Sequence, residues 1–108
     1  MQQTVIPPDE AIAPVKVQIA VANAYGITIS DLRAGGREAK TAEARQIAMY
    51  LTHVVFEVSH ADVGRGFGRN RSTALYAARR VEAMREDPLI DATLEALETA
   101  LRDAEVAA

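Results

Sequence analysis

Cysteine is absent from the 108 residues. That excludes a disulfide and a thiolate metal site, and it fits a reducing compartment. Histidine is scarce too: His53 and His60 are the two present. They fall on different predicted helices without the spacing of metal ligands, so no metal is expected. No apolar run approaches the length of a bilayer span, and the start, MQQTVIPPDE, lacks the basic and apolar regions of a secretory signal. A cytoplasmic protein with no membrane contact is therefore expected. A phosphate loop of the form G-x-x-x-x-G-K-[ST] is missing as well. Gly35-Gly36-Arg37 and Gly64-x-Gly66-x-Gly68 have neither its spacing nor its lysine. Ser59 has no organised base and acid partners, and the pairs Glu82-Glu86 and Glu86-Asp87 read as solvated helix surface rather than acid–base machinery. The expectation is a protein that is not an enzyme and needs no cofactor.

What is present describes an ordinary soluble domain: 49% apolar residues, 25% charged and a net charge of −3, in a chain long enough for one modest core. The charge is unevenly placed. Residues 33–80 hold nine basic side chains (Arg33, Arg37, Lys40, Arg45, Arg65, Arg69, Arg71, Arg79 and Arg80) against four acidic ones, whereas residues 81–108 hold eight acidic and two basic. A basic middle beside an acidic tail is the asymmetry expected of a phosphate-binding face.

Hydrophobic spacing and helix stop signals predict an all-α chain of five or six helices. Residues 1–14 read as a flexible lead broken by Pro7, Pro8 and Pro14. A first helix ends at Tyr25 before Gly26, with Val15, Ile19 and Ala22 on its inner face. Ile27-Thr28-Ile29 has no partner strand, so a one-turn helix over residues 30–33, capped by Ser30 or Thr28, is preferred. A glycine-containing basic loop follows. Thr41 then caps a central helix over residues 42–58, whose stripe Ile47, Leu51, Val54, Val55 and Val58 should form the main core. Ser59-x-x-Asp62 resembles a capping box and opens a short helix that ends at Phe67. Asp87-Pro88 opens a last helix with the seam Ile90, Leu94, Leu97 and Leu101, which packs on the first helix or makes a dimer.

The most informative stretch is VGRGFGRNRSTALYAARRV over residues 63–81. A short apolar helix, a glycine turn and a second amphipathic helix make a helix-turn-helix, whose second helix normally enters the major groove of DNA. Leu75, Ala78 and Val81 should face inward and the start of the helix outward. Arg79 and Arg80 cannot both face DNA, and one of them is expected to pair with the acidic C-terminal segment.

Residues 25–86 resemble the C-terminal DNA-binding domain of the bacterial chromosomal replication initiators, the DnaA family, whose helices form a Trp-repressor-like arrangement. Three segments carry the resemblance: Ile29-Ser30-Asp31-Leu32 with the basic loop behind it, Arg45-Gln46-Ile47-Ala48-Met49-Tyr50-Leu51, and Val63-Gly64-x-x-Phe67-Gly68 followed by RNRSTALYAARRVE. The resemblance implies a minor-groove contact from Arg37, phosphate contacts from Arg45 and Gln46, and major-groove contacts from Arg69, Asn70, Arg71, Ser72 and Thr73; as cations, Lys40 and Arg69 are expected to add phosphate contacts of their own. Where the family reads Asp-His-Thr-Thr, this chain has Asn70-Arg71-Ser72-Thr73, in a turn one residue shorter. That implies an altered target with a guanine contact through Arg71.

The functional expectation is a sequence-preferring double-stranded DNA-binding protein on the nucleoid, regulating replication initiation or transcription without an ATPase of its own. The alternative is a protein–protein interaction module that keeps the fold, has lost DNA, and docks a partner through the acidic helix of residues 87–108. Monomer and dimer both stay open.

Overall fold

A computed structural model describes residues 12–36 and 38–107, the last three of these by their backbone alone. Six α-helices and no strand are found among the described residues: α1 Val15–Tyr25, α2 Ile29–Arg33, α3 Ala39–Phe56, α4 His60–Gly66, α5 Arg71–Met84 and α6 Pro88–Ala107. The all-α expectation holds. Ile27-Thr28-Ile29 is not a strand, because the Thr28 hydroxyl accepts the Asp31 N–H at 3.0 Å and starts α2 there.

Helix α3 is the axis of the fold. It packs against every other helix, and α5 is its largest neighbour. Ala44, Ile47, Ala48, Met49 and Leu51 are buried along it, and Val54, Val55 and Val58 lie half-buried at its C-terminal end. The alanines are what bring the helices close. Ala44 and Ala48 on α3 and Ala74, Ala77 and Ala78 on α5 are all buried, so the two backbones approach with little side chain between them. Val63 and Phe67 from the α4 end, Val17 and Val21 from α1, Leu32 from α2 and Leu94 and Leu101 from α6 fill the rest. The seam of α6 is therefore spent inside the molecule, against α3 and α1.

Three local expectations are corrected. The inner face of α1 is Val17, Gln18, Val21 and Ala22, while Val15 and Ile19 are 46% and 45% exposed. This helix is apolar around most of its circumference, so spacing alone offered two stripes, and packing selected the other one. Helix α3 begins a turn before Thr41, with Glu38 as its N-cap; the Thr41 hydroxyl instead donates to the Glu38 carboxylate at 2.8 Å. Ala39 and Lys40 are good helix formers with no breaker between them and Thr41, so the helix extends upstream. Residues 12–14, counted with the lead, are buried, and the Ala13 carbonyl accepts the Gln18 side-chain amide at 2.7 Å. The remainder of the lead lies outside the described residues.

Helix ends elsewhere follow simple capping chemistry. Ser59 accepts the Asp62 N–H, and Asn70 does the same for Thr73, each satisfying a backbone donor that the first turn leaves open. Glu57 closes α3 at φ 57°, a left-handed conformation that costs a residue with a Cβ about 1–2 kcal/mol.

Leu51 is fully buried; Leu51→Ala should cost about 2–5 kcal/mol through lost burial and the cavity left behind. A Cβ on Gly64 would lie 2.4 Å from the Asn70 carbonyl oxygen, so Gly64→Ala should destabilise by at least the roughly 1–3 kcal/mol of an overpacked core. Thermal denaturation of both variants checks these values, and an unchanged midpoint in either would misplace the core.

Candidate nucleic-acid interface

Helices α4 and α5 cross at Gly64. Its Cα lies so near the Asn70 carbonyl that no side chain fits, and the Gly64 carbonyl accepts the Arg69 N–H at 2.6 Å. Phe67 buries its ring at the end of α4, and Gly68 reverses the chain at φ 70°, where a Cβ would be strained. This short turn sets α5 against α4 and α3 with its first residues outward: Asn70, Arg71 and Ser72 are exposed and Thr73 is half-buried.

These four side chains are not equivalent. The Asn70 Oδ1 accepts from the Thr73 N–H at 2.9 Å, the Ser72 hydroxyl at 2.8 Å and the Thr73 hydroxyl at 3.1 Å. Asn70 is thus occupied as the N-cap of α5, and the bidentate adenine contact open to a free asparagine would require that cap to break. Arg71 has no hydrogen bond or ion pair among the described residues and projects from the first turn. Tyr76, one turn further on, is 60% exposed.

The residues expected at phosphates divide into two kinds. Arg45 is only 7% exposed; its Nε donates to the Leu32 carbonyl at 2.8 Å and its Nη2 to the Ala34 carbonyl. Burial first, and then the neighbouring charge of Arg69, lower its pKa from the ordinary arginine value. Arg69 bonds the carbonyls of Phe67 at 2.6 Å, Arg33 at 3.1 Å and Ala34 at 3.2 Å. Both guanidinium groups are turned onto backbone carbonyls rather than outward. Arg45 ties the end of α2 to α3 and Arg69 ties it to the helix-turn-helix, because carbonyls at a helix C-terminus lack partners of their own. Lys40 and Gln46 remain at the surface of α3, Lys40 without an ion pair among the described residues and Gln46 accepting from Arg80 at 2.9 Å. Arg37 lies outside the described residues.

The salt bridge to the acidic segment is made by Arg85, not by Arg79 or Arg80. Arg85 reaches Asp91 at 2.6 Å, Glu95 at 3.3 Å and Glu98, and it also donates to the Tyr50 hydroxyl at 2.9 Å. Burial works against the Arg85 charge, but the bonds to Asp91, Glu98 and Tyr50 outweigh it and raise its pKa. Arg102 shares Glu98 at 3.5 Å. Position 85 stands at the end of α5, directly before the acidic helix, and that adjacency was the available signal. Arg33 was also overlooked: it joins three elements, donating to Gln18 on α1 at 3.2 Å and to the Gly66 carbonyl at 2.8 Å, with its guanidinium 5.5 Å from the Phe67 ring centre.

The histidines meet although their helices differ. Their rings stack with centroids 3.9 Å apart; His53 Nδ1 lies 2.7 Å from the Val58 carbonyl, and His60 Nδ1 is buried without a partner. Among the described residues no third His, Cys, Asp or Glu joins them to hold a metal.

A glycine-turned pair of helices with the second one exposed at its cationic start, set on a scaffold of four further helices, defines a helix-turn-helix protein of the DNA-binding type. Residues 14–81 match the family described as bacterial dnaA protein helix-turn-helix. The chain belongs to this DnaA helix-turn-helix family. It is 37% identical over 89 residues to the chromosomal replication initiator protein DnaA of Bradyrhizobium sp., covering 81% of this chain and 19% of that protein. The DnaA of Caulobacter vibrioides is 41% identical over 88 residues, covering 80% of this chain and 18% of the relative. The chain thus spans about a fifth of the length of these relatives. Two solved structures share the fold. One, a DNA replication initiation factor, has a TM-score of 0.78 at 29% identity over 89% of this chain and 29% of its own. The other, the replication initiator DnaA bound to AMPPCP and single-stranded DNA, has a TM-score of 0.76 at 28% identity over 88% of this chain and 28% of its own.

His60 generates a pH prediction. Burial, the neighbouring His53 and the charges of Arg71 and Arg79 lower its pKa, and only Glu82 opposes them. The unfolded chain takes up this proton near the ordinary value of about 6.5, while the folded state resists it. The contribution to stability is therefore complete above that pH and falls as the pH drops towards the folded-state value. Melting midpoints between pH 7.5 and 5 should decline less steeply in His60→Leu than in the natural chain; parallel curves would remove His60 from the cause.

Proposed function

We propose that this chain binds double-stranded DNA with a sequence preference and acts on the nucleoid as a regulator of replication initiation or transcription, with no ATP hydrolysis by this stretch of sequence. The observation that carries the reading is where the charge is left uncompensated. Nearly every ion pair among the described residues lies between Arg85 or Arg102 and the carboxylates of α6, the exception being Arg65 with Asp62. Lys40, Arg71, Arg79 and Arg80 have no carboxylate partner among the described residues. Uncompensated cations along the second helix of a helix-turn-helix and on the neighbouring α3 suit a polyanion whose grooves admit that second helix.

In this reading the start of α5 enters the major groove. Arg71 reads the two acceptors of guanine, Ser72 and Thr73 lie beside it, and Asn70 holds the helix end in place. Lys40 and Gln46 on α3 meet phosphates, and Arg37 reaches the adjacent minor groove, where arginine favours narrow A·T tracts. Arg45 and Arg69 hold the loop and the turn that present these groups.

Selection of duplexes from a random pool should enrich one motif, with affinity falling as salt rises by about 0.9 in log–log slope for each phosphate neutralised. Arg71→Ala should erase the preference at a single base position, at about 1–3 kcal/mol of discrimination. Equal weakening on all sequences would make Arg71 a phosphate contact instead. Failure to bind any duplex at low salt would overturn the DNA reading and leave the fold to a protein partner.

A further inference from the structure

The exposed arginines of α5 are adjacent in sequence and diverge in space. Arg79 contributes to the field at His60, at the start of α4, whereas the Arg80 Nε donates across to the Gln46 Oε1 of α3 at 2.9 Å. They serve opposite flanks of the helix. The bond to Gln46 has a chemical consequence. Arginine carries donors only, so a glutamine facing it must present its oxygen, and its amide NH2 group is directed elsewhere. Neither that Nε2 nor the two terminal nitrogens of Arg80 has an acceptor among the described residues, and Arg80 has no carboxylate there. The pair bridges the two helices through that one bond, and its remaining polar groups, the Gln46 amide nitrogen and the two terminal nitrogens of Arg80, are all donors.

We infer that Arg80 is a DNA phosphate-contacting residue that also orients Gln46, so that the two side chains bind one stretch of backbone as a unit. This inference rests on the DNA-binding reading above. A helix lying in the major groove has phosphates along both sides, and contacts to them set its register without reading sequence. Arg80 with Gln46 supplies the α3 side. The bond between them removes the ambiguity of a free glutamine, which could turn either its donor or its acceptor to the phosphate.

The test is a double-mutant cycle on this chain with one selected and one scrambled duplex, at several salt concentrations, using Arg80→Ala, Gln46→Ala and both together, with Arg80→Lys alongside. Arg80→Ala should weaken selected and scrambled duplexes by the same factor and lower the log–log salt slope by about 0.9. A fourfold rise in salt would then cost this variant roughly 3.5-fold less affinity than it costs the natural chain. Arg80→Lys should restore the slope, and the loss from Gln46→Ala should shrink once Arg80 is already alanine. Arg80 is exposed and Gln46 half-buried, so the melting midpoint of Arg80→Ala should hold. An unchanged salt slope in Arg80→Ala, or losses that simply add, would overturn the inference while leaving DNA binding intact. A natural chain that binds no duplex at low salt would overturn the DNA reading itself.

Discussion

The outward face of α5 depends on how closely α4 crosses its first turn. At Gly64 the two backbones meet with no room for a Cβ, and the Gly64 carbonyl takes the Arg69 N–H. That crossing sets the angle at which α5 leaves the turn, and the small residues Ala74, Ala77 and Ala78 then let the helix settle onto α3. Once its inner side is committed, Arg71, Ser72 and Tyr76 have nowhere to go but solvent. A side chain at position 64 would separate the helices and tilt the exposed face, whatever residues it carried.

A second constraint is electrostatic. The chain is acidic overall, at −3, yet its basic residues work in three distinct settings. Arg85 and Arg102 are neutralised by α6. Arg33, Arg45 and Arg69 are held by neutral carbonyl and amide oxygens around the end of α2, which satisfies their hydrogen bonds and leaves their charge uncompensated. Lys40, Arg71, Arg79 and Arg80 are exposed and have no carboxylate partner among the described residues, Arg80 being held only by the amide oxygen of Gln46. The C-terminal helix therefore does more than complete the core. Its carboxylates Asp91, Glu95 and Glu98 engage Arg85, and Glu98 also meets Arg102.

Much of the architecture was legible in the chain. Gly26 and Gly68 marked two reversals, Ser59 and Asn70 marked helix starts, and Pro88 opened α6 as expected. The helix-turn-helix and its family relationship could be read from three short segments. The errors fell where local signals were degenerate. Val15 and Ile19 offered a stripe as regular as that of Val17 and Val21, and Thr41 was as good a cap by type as any residue upstream. In the interface, composition correctly pointed to the region around α5 but could not separate a guanidinium aimed at solvent from one wrapped onto the carbonyls of Leu32 and Ala34, because both are simply arginines beside a helix.

The order of the helices, their stop signals and the basic middle beside an acidic end were properties of the sequence alone, since each follows from local backbone preference or from a count of charges. Which face of α1 is buried, which arginine meets α6, and how Gln46 comes to face Arg80 from 34 positions away were decided only in the tertiary structure. Those outcomes depend on distances between segments remote in the chain, and spacing along a sequence has no record of them until the helices pack.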